Sequence, residues 1–429
     1  VEKQRENEMT IKQKGEKTMK NNSIWNKNFM TFVLALELHL IAKTLIRFAL
    51  PLYVLIETGS PALQGMILSL SALPLIILSP IGGALTDKFN KKKILAIMNL
   101  LSAIVVSVYF LINPVNHIVV VILLIMMFVS MFESLISPTS EASIPSLVPA
   151  DKLVKANSVT FLLTNISSIG APVFGGIMLH TRGLTELLII ITALYILAAV
   201  INIFVIIPTP EKIDVQAENK GNLVAGLFEN IKGGIIFVTK ENRSIGKMIF
   251  VVFLLAITMI TSMTITVPTL MVTYLEMPEH LIGLSQGVVV FGGTLAAILL
   301  PMLKGKHRTS KVILFIPSLT IVITGVLLLL GENPTTSYIL LIACFFIVQI
   351  FLTMYGVIYF SFLGKKTPKQ VMGKVMGLAI SSSVLGFAIG DFLHGILFNV
   401  FATTPAIALI ILGAISIIIA LNAKIIEQG

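Results

Sequence analysis

The sequence predicts an all-α membrane protein of twelve transmembrane helices, and three observations carry that prediction. Apolar residues fill 56% of the 429 positions, and a spanning helix needs about 20 predominantly apolar residues. Charged residues make up only 12%, against roughly 25% in a soluble domain. Lys and Arg collect in alternate loops, as a single membrane topology would place them. Composition excludes the soluble, disordered and collagen-like classes. A β-barrel would show short alternating strands instead of long apolar runs.

The apolar stretches lie near 29–56, 61–86, 93–113, 118–138, 156–179, 184–207, 247–274, 281–303, 312–331, 336–363, 374–400 and 404–423. Span 1 ends at Thr58-Gly59-Ser60. Asn113-Pro114 closes span 3, Pro138 closes span 4, Pro208 and Pro210 close span 6, and Asn333-Pro334 closes span 9. Residues 1–22 are polar and lysine-rich and are expected to form a disordered cytoplasmic tail.

With this segmentation, 28 of the 31 Lys and Arg residues fall on one side of the membrane. The other side holds Arg182 together with Glu57, Glu186, Glu276, Glu279 and Glu332, and Lys43 and Arg47 lie inside span 1. The positive-inside rule then puts both termini in the cytoplasm and supports an even number of spans. The net charge of +10 is therefore topological, and no nucleic-acid partner is expected.

The longest polar interruption runs from Pro208 to about Arg243 and divides the spans six and six. The expected organisation is a six-helix bundle over 23–207, a cytoplasmic linker over 208–244 and a second six-helix bundle over 245–429. Within the linker, Leu223, Val224, Leu227, Ile231, Ile235 and Val238 recur at helical spacing, as on an amphipathic interfacial helix. The halves repeat weakly. Gly65 opens span 2 as Gly283 opens span 8, and Gly170 to Gly176 in span 5 match Gly386 to Gly395 in span 11.

The loop after span 2 reads Gly-Gly-Ala-Leu-Thr-Asp-Lys-Phe-Asn-Lys-Lys-Lys from residue 82. It resembles the signature of the major facilitator superfamily at Gly83, Asp87, Lys88, Lys91 and Lys92. Asn90 stands where that family usually has Gly, and Asn is expected to supply the left-handed turn. The resemblance implies a conformational gate in which Asp87 docks on a helix of the other half and the lysines meet anionic lipid or a helix C-terminus. In span 5, Gly170, Pro172, Gly175 and Gly176 resemble the helix motif of proton-coupled drug exporters, with Ala171 inserted. Ser137-Pro138, Ile144-Pro145, Leu147-Val148-Pro149 and Ala156-Asn157 resemble macrolide-efflux-like members. So does Ala49-Leu50-Pro51-Leu52-Tyr53-Val54.

Ionisable residues inside a span cost ~2.5–3.5 kcal/mol on the insertion scale and are functional candidates by default. Five lie clearly within spans: Glu37, Lys43, Arg47, Glu133 and Asp391. They fall on spans 1, 4 and 11, which in the superfamily line the central cavity, whereas spans 3, 6, 9 and 12 face lipid. Glu37 sits near the midplane without a partner on its own helix. His39, Lys43 and Arg47 form one stripe at i, i+4 and i+8, from which Lys43 and Arg47 are expected to reach Asp391 as an extracellular-side lock. Glu133, five residues before Pro138, is placed close to the cytoplasmic interface.

The sequence has no phosphate-binding loop of the Walker type, no metal-ligand spacing among its six His and single Cys, and no nucleophile elbow. No cofactor, no metal and no enzymatic activity are expected. The resemblance implies a secondary transporter that moves a small-molecule substrate, with protons as the coupling ion and membrane lipids as neighbours. It is expected to act as a monomer in the cell membrane and to export amphipathic drugs such as macrolides. A lipid-like or siderophore-like metabolite is the alternative cargo, and a non-transporting sensor is the alternative role.

Overall fold

The computed structural model describes residues 26–112, 117–207, 233–300, 310–331, 333–368 and 371–423, with the side chains of 80–85, 87, 88, 310 and 311 also left aside. Most of the predicted linker helix, and the whole of the predicted 1–22 tail, fall outside these residues. Among the described residues, twelve helices are long and apolar enough to cross a membrane. They are α1 (Lys27–Thr58), α2 (Pro61–Lys88), α3 (Lys91–Ile112), α4 (Ile118–Leu147), α5 (Leu153–Thr181) and α6 (Leu184–Phe204). They continue as α7 (Arg243–Tyr274), α8 (Glu279–Leu299), α9 (Ser310–Leu330), α10 (Pro334–Lys366), α11 (Met372–Val400) and α12 (Pro405–Asn422). The even number puts the start of α1 and the end of α12 on one face, called here the termini face; the opposite side is the far face.

Hydrocarbon offers no hydrogen bonds, so each crossing segment must satisfy its own backbone, and a helix does so internally. The ends are capped by local chemistry. Asn26 accepts from the Phe29 amide at the start of α1, and Gly59 closes it at φ 62°. Asn333 accepts from Thr335 and Thr336 at the start of α10. The outer surfaces carry exposed apolar side chains such as Ile104, Leu111, Ile196, Phe204 and Leu330, which suits a lipid solvent.

Two expectations about α4 and its flanks are corrected. Pro138 does not end the helix, which runs on through Pro145 to Leu147. Thr139 and Ser143 hydroxyls bond back to the carbonyls of Leu135 and Thr139, and Lys91 Nζ donates to the Ala142 carbonyl at 2.7 Å. Prolines are tolerated in spans when neighbouring groups adjust around them; Pro138 and Pro145 leave the Ser134 and Glu141 carbonyls without an amide, and two of these bonds fall on the adjacent carbonyls of Leu135 and Ala142. Asn90 does not adopt a left-handed turn, since among the described residues only Glu276 outside glycine has positive φ. Its side chain instead accepts from the Lys93 amide at 3.2 Å and caps α3.

Helix α7 departs from regular α geometry. After Leu255 it passes through π-helical stretches at Ala256–Ile260, Ser262–Thr266 and Leu270–Tyr274. The wider turns loosen the ordinary ladder, and neighbouring side chains serve it. Gln286 of α8 donates to the Met263 carbonyl at 2.7 Å, and Gln64 of α2 to that of Thr264 at 3.4 Å.

The first six helices pack largely on one another, and so do the last six; α2 meets α11 and α5 meets α8 between the two groups. Both of these contacts are glycine crossings near the far face. A Cβ on Gly65 would stand 3.0 Å from the Gly395 Cα, and one on Gly176 would stand 2.9 Å from the Gly283 Cα. The four glycines are those that matched between the halves of the sequence. Toward the termini face, Gly373 and Gly377 of α11 would have no described atom within 4 Å of such a Cβ. The helix pairs thus meet most closely at the far face, and α11 is open around Gly373 and Gly377 toward the termini face.

Tight backbone approach is what holds the far face shut. Replacement of Gly283 by Leu should therefore open it. In a protein with Cys344 changed to Ser and Ser71 to Cys, an impermeant maleimide added from the far side should label several-fold faster once Gly283→Leu is introduced. Equal rates would mean that the crossings do not control access.

Candidate functional site

Two cavities flank the middle of α1. The first, of about 200 Å³, is lined from α1, α2, α4 and α11 by Lys43, Arg47, Glu133 and Asp391 over apolar walls that include Ile46, Leu68, Leu75, Met126 and Phe387. The second, of about 380 Å³, lies among α1, α4 and α5 toward the termini face and reaches Glu141, Asn157 and Thr160. His39, Lys43 and Glu133 line this second cavity too, so Lys43 and Glu133 stand in the wall between the two.

Glu133 is 6% exposed, and a buried carboxylate needs partners. One oxygen takes Lys43 Nζ and the other lies 2.9 Å from His39 Nε2. The far ring nitrogen of His39 lies 2.9 Å from Asn99 Oδ1 of α3, whose amide nitrogen donates to the Leu95 carbonyl at 2.8 Å. The Tyr195 ring of α6 packs 5.8 Å from that of His39. The result is one polar chain linking α1, α3 and α4 in the middle of the first six helices.

This corrects the expected placement of Glu133. Because α4 continues to Leu147, the carboxylate is 14 residues from the helix end, or about 21 Å at ~1.5 Å per residue, and is buried instead of interfacial. The expected lock also changes. Lys43 pairs with Glu133 and not with Asp391, and among the described residues no ion pair joins Arg47 to Asp391. Arg47 and Asp391 share the first cavity across the contact between the two groups of helices. Asp391 accepts from Thr264 Oγ1 of α7 at 2.7 Å, and His394, one turn on, meets Thr266 Oγ1 at 3.2 Å. Glu37 is half-buried and accepts from Ser167 of α5.

The motif residues have distinct fates. Gly176 forms the α5–α8 crossing, Gly175 packs on Leu45 and Phe48 of α1, the Pro172 carbonyl stands where a Cβ on Gly283 would press, and a Cβ on Gly170 would meet no described atom. Of the gate motif, Asn90 and Lys91 make the bonds given above; Gly83, Asp87 and Lys88 lie in the part of α2 whose side chains are left aside. Lys92 is on the first turn of α3. At the far face, His180 Nδ1 lies 2.8 Å from Glu279 Oε2, with the His280 ring 4.6 Å from that of His180.

Sequence reasoning missed Asn99, Gln64, Thr264 and Gln286 because it weighed ionisable side chains alone. A polar amide in an apolar span was the available signal: Asn99 sits in α3, which had been assigned wholly to lipid. Among the described residues, no group of three or more His, Cys, Asp or Glu side chains is arranged to hold a metal ion.

A family model for the major facilitator superfamily matches residues 32–391. The chain belongs to that superfamily. It is accordingly a secondary transporter, not an enzyme. Macrolide efflux protein A of Streptococcus pyogenes is 23% identical over 380 residues, covering 87% of this chain and 89% of that protein. The enterobactin exporter EntS of Shigella boydii is 23% identical over 382 residues, covering 86% and 84%. Among solved structures, the nucleoside transporter NupG matches with a TM-score of 0.72 at 14% identity, covering 94% of this chain and all of that one. The last likeness is one of fold.

In this major facilitator fold the Glu133 cluster is a structural liability if broken. Removing one partner of a fully buried ion pair costs about 3–5 kcal/mol, and the Lys43 side chain, 35% exposed, makes the cost here smaller. Glu133→Ala, which strands Lys43 and His39, should lower the thermal unfolding temperature in detergent clearly. Glu133→Gln, which keeps a hydrogen-bonding group between them, should lower it less. Equal unfolding temperatures for Glu133→Ala and the parent protein would remove the cluster from any account of stability.

Proposed function

We propose that this transporter exports amphipathic small molecules in exchange for protons. The observation that carries the reading is the first cavity: apolar walls for a bulky solute, with Lys43, Arg47, Glu133 and Asp391 among its lining residues. Such a site recognises a molecule with both greasy and charged parts. The similarity to a macrolide efflux protein and to an enterobactin exporter supports export of large amphipathic compounds. Arg47, exposed toward the cavity, favours the second reading, in which the cargo is an acidic, siderophore-like or lipid-like metabolite.

The basic face is the cytoplasmic one in this reading, with both termini there and the protein working as a monomer in the plasma membrane. The far face is then extracellular, and the conformation described is open to the cytoplasm. The bundles 23–207 and 245–429, joined by the linker 208–244, rock about the glycine crossings. The loop bearing Gly83, Asp87, Lys88, Asn90, Lys91 and Lys92 latches the cytoplasmic side in the opposite conformation. Glu37, Glu133 and Asp391 are the carboxylates available for proton coupling. One charge moved through 100 mV supplies ~2.3 kcal/mol, enough for modest uphill export.

Inverted membrane vesicles test this with labelled erythromycin and a fluorescent cationic dye. Accumulation that collapses with the proton gradient supports the proposal. Asp391→Asn and Glu37→Gln should each then cut gradient-driven accumulation by about tenfold or more, since an ionisable group inside a span is a functional candidate by default. Accumulation that ignores the gradient would refute proton coupling. No accumulation of either probe, with uptake of a catecholate compound instead, would favour the second reading.

A further inference from the structure

We propose that His39 and Glu133 together hold one exchangeable proton, and that Asn99 makes this a proton site by fixing which ring nitrogen of His39 carries the other. The inference rests on the hydrogen-bond directions alone. Asn99 Nδ2 donates to the Leu95 carbonyl at 2.8 Å, so Oδ1 is the atom that faces His39 Nδ1 at 2.9 Å. An amide oxygen accepts only. The proton of that bond therefore sits on Nδ1, and the amide orientation follows from the network. A neutral imidazole has a single N–H. Were that the whole inventory, Nε2 would present a lone pair to Glu133 Oε2 at 2.9 Å. Two acceptors do not bond, so the bridge requires one more proton, on Nε2 or on the carboxyl.

The surroundings decide how this proton is held. Lys43 occupies the other carboxylate oxygen, so the shared proton lies between His39 Nε2 and Glu133 Oε2. Other groups facing the cluster are few. The Tyr195 ring packs on His39 from α6, and its buried hydroxyl has no hydrogen-bond partner among the described residues. Arg47 and Asp391 share the first cavity with Glu133, and Glu141 shares the second. With the proton present, His39, Lys43 and Glu133 sum to one positive charge; without it they sum to zero.

His39 and Glu133 are both buried, yet both line the cavity that extends toward the termini face, and Glu133 also lines the first cavity. The site can therefore exchange its proton toward the termini face while its carboxylate reports to the cavity proposed for the solute. When the proton leaves to water in that vestibule, the N–H bond at Nε2 breaks and the electron pair stays on nitrogen. The His39–Glu133 contact then becomes repulsive, and Glu133 is left to Lys43. Proton loss thus uncouples α4 from the ring on α1 and changes the charge lining the solute cavity. The role of this site in transport rests on the proton-exchange reading above; the existence of the site does not.

The first test is nitrogen-15 nuclear magnetic resonance of histidine-labelled full-length protein in lipid nanodiscs at pH 7.5. The His39 signals are assigned by their loss in His39→Gln, or by their shift in Asn99→Leu should the first variant not fold. The proposal expects both ring nitrogens of His39 to be protonated, or Nδ1 protonated with Nε2 accepting from a carboxylic acid. A neutral ring with its proton on Nε2, or one with an unbonded Nε2, overturns it.

The second test uses inverted vesicles with labelled erythromycin. His39→Gln keeps a hydrogen-bonding side chain but no titrating ring, and should lose gradient-driven accumulation while retaining erythromycin counterflow. Full gradient-driven accumulation by His39→Gln would overturn the coupling role. If the parent protein shows no gradient dependence, the proton-exchange function fails, whereas the resonance experiment still decides whether the proton site exists.

Discussion

Hydrocarbon does not solvate a carboxylate, and the interior of this protein is organised around bringing Glu133 the partners that water would otherwise supply. The ammonium of Lys43 and the ring of His39 come from one helix, and Asn99 from another fixes the ring. Each bond is worth more in such surroundings than at a surface, and each absence costs correspondingly more. The same rule governs the backbone. Where α4 continues through two prolines, hydroxyls and Lys91 reach its carbonyls. Where α7 widens into π turns, glutamines from α2 and α8 cross over to serve it.

Close approach of backbones supplies the second constraint. At Gly65–Gly395 and Gly176–Gly283, any side chain would press on the main chain of the opposing helix. Small residues let helices meet by van der Waals contact, which is the principal attraction available between apolar helices in lipid. These crossings sit near the far face and bring the two groups of helices together there. The first cavity lies beside the α2–α11 crossing, with Asp391 in both: its carbonyl is against Gly65 and the residue is part of the cavity lining. A movement that separates α2 from α11 must therefore move a charged group of the cavity as well. This gives a physical route from the electrostatics of the cavity to the packing at the far face.

The polar content of α7 bears on the same point. Thr264 holds the Asp391 carboxyl, while its own carbonyl receives Gln64 of α2. One residue of an irregular helix is thus bonded to both partners of the crossing. In a regular α-helix that carbonyl would accept from the amide four residues on, but residue 268 is a proline without an N–H, which leaves the carbonyl open to a donor across the interface.

Much of the architecture was legible in the chain. Apolar runs of spanning length and the one-sided distribution of Lys and Arg determine twelve crossings, because burial in lipid and charge at its border are properties of composition along the sequence. The repeat of glycines between the halves also marked the positions where they touch. The sequence could name Glu37, Lys43, Arg47, Glu133 and Asp391 as the costly charges, for the same reason of composition. It could not say who pairs with whom. Pro138 reads locally as a helix end, yet α4 passes through it to Leu147, and that moves Glu133 from the border to the interior. Lys43 meets Glu133, 90 residues away, and His39 acquires its meaning only from an asparagine 60 residues away. Pairing across helices depends on rotation and depth of each helix, which packing alone sets, and so the contacts among His39, Lys43, Asn99 and Glu133 were decided by the tertiary structure.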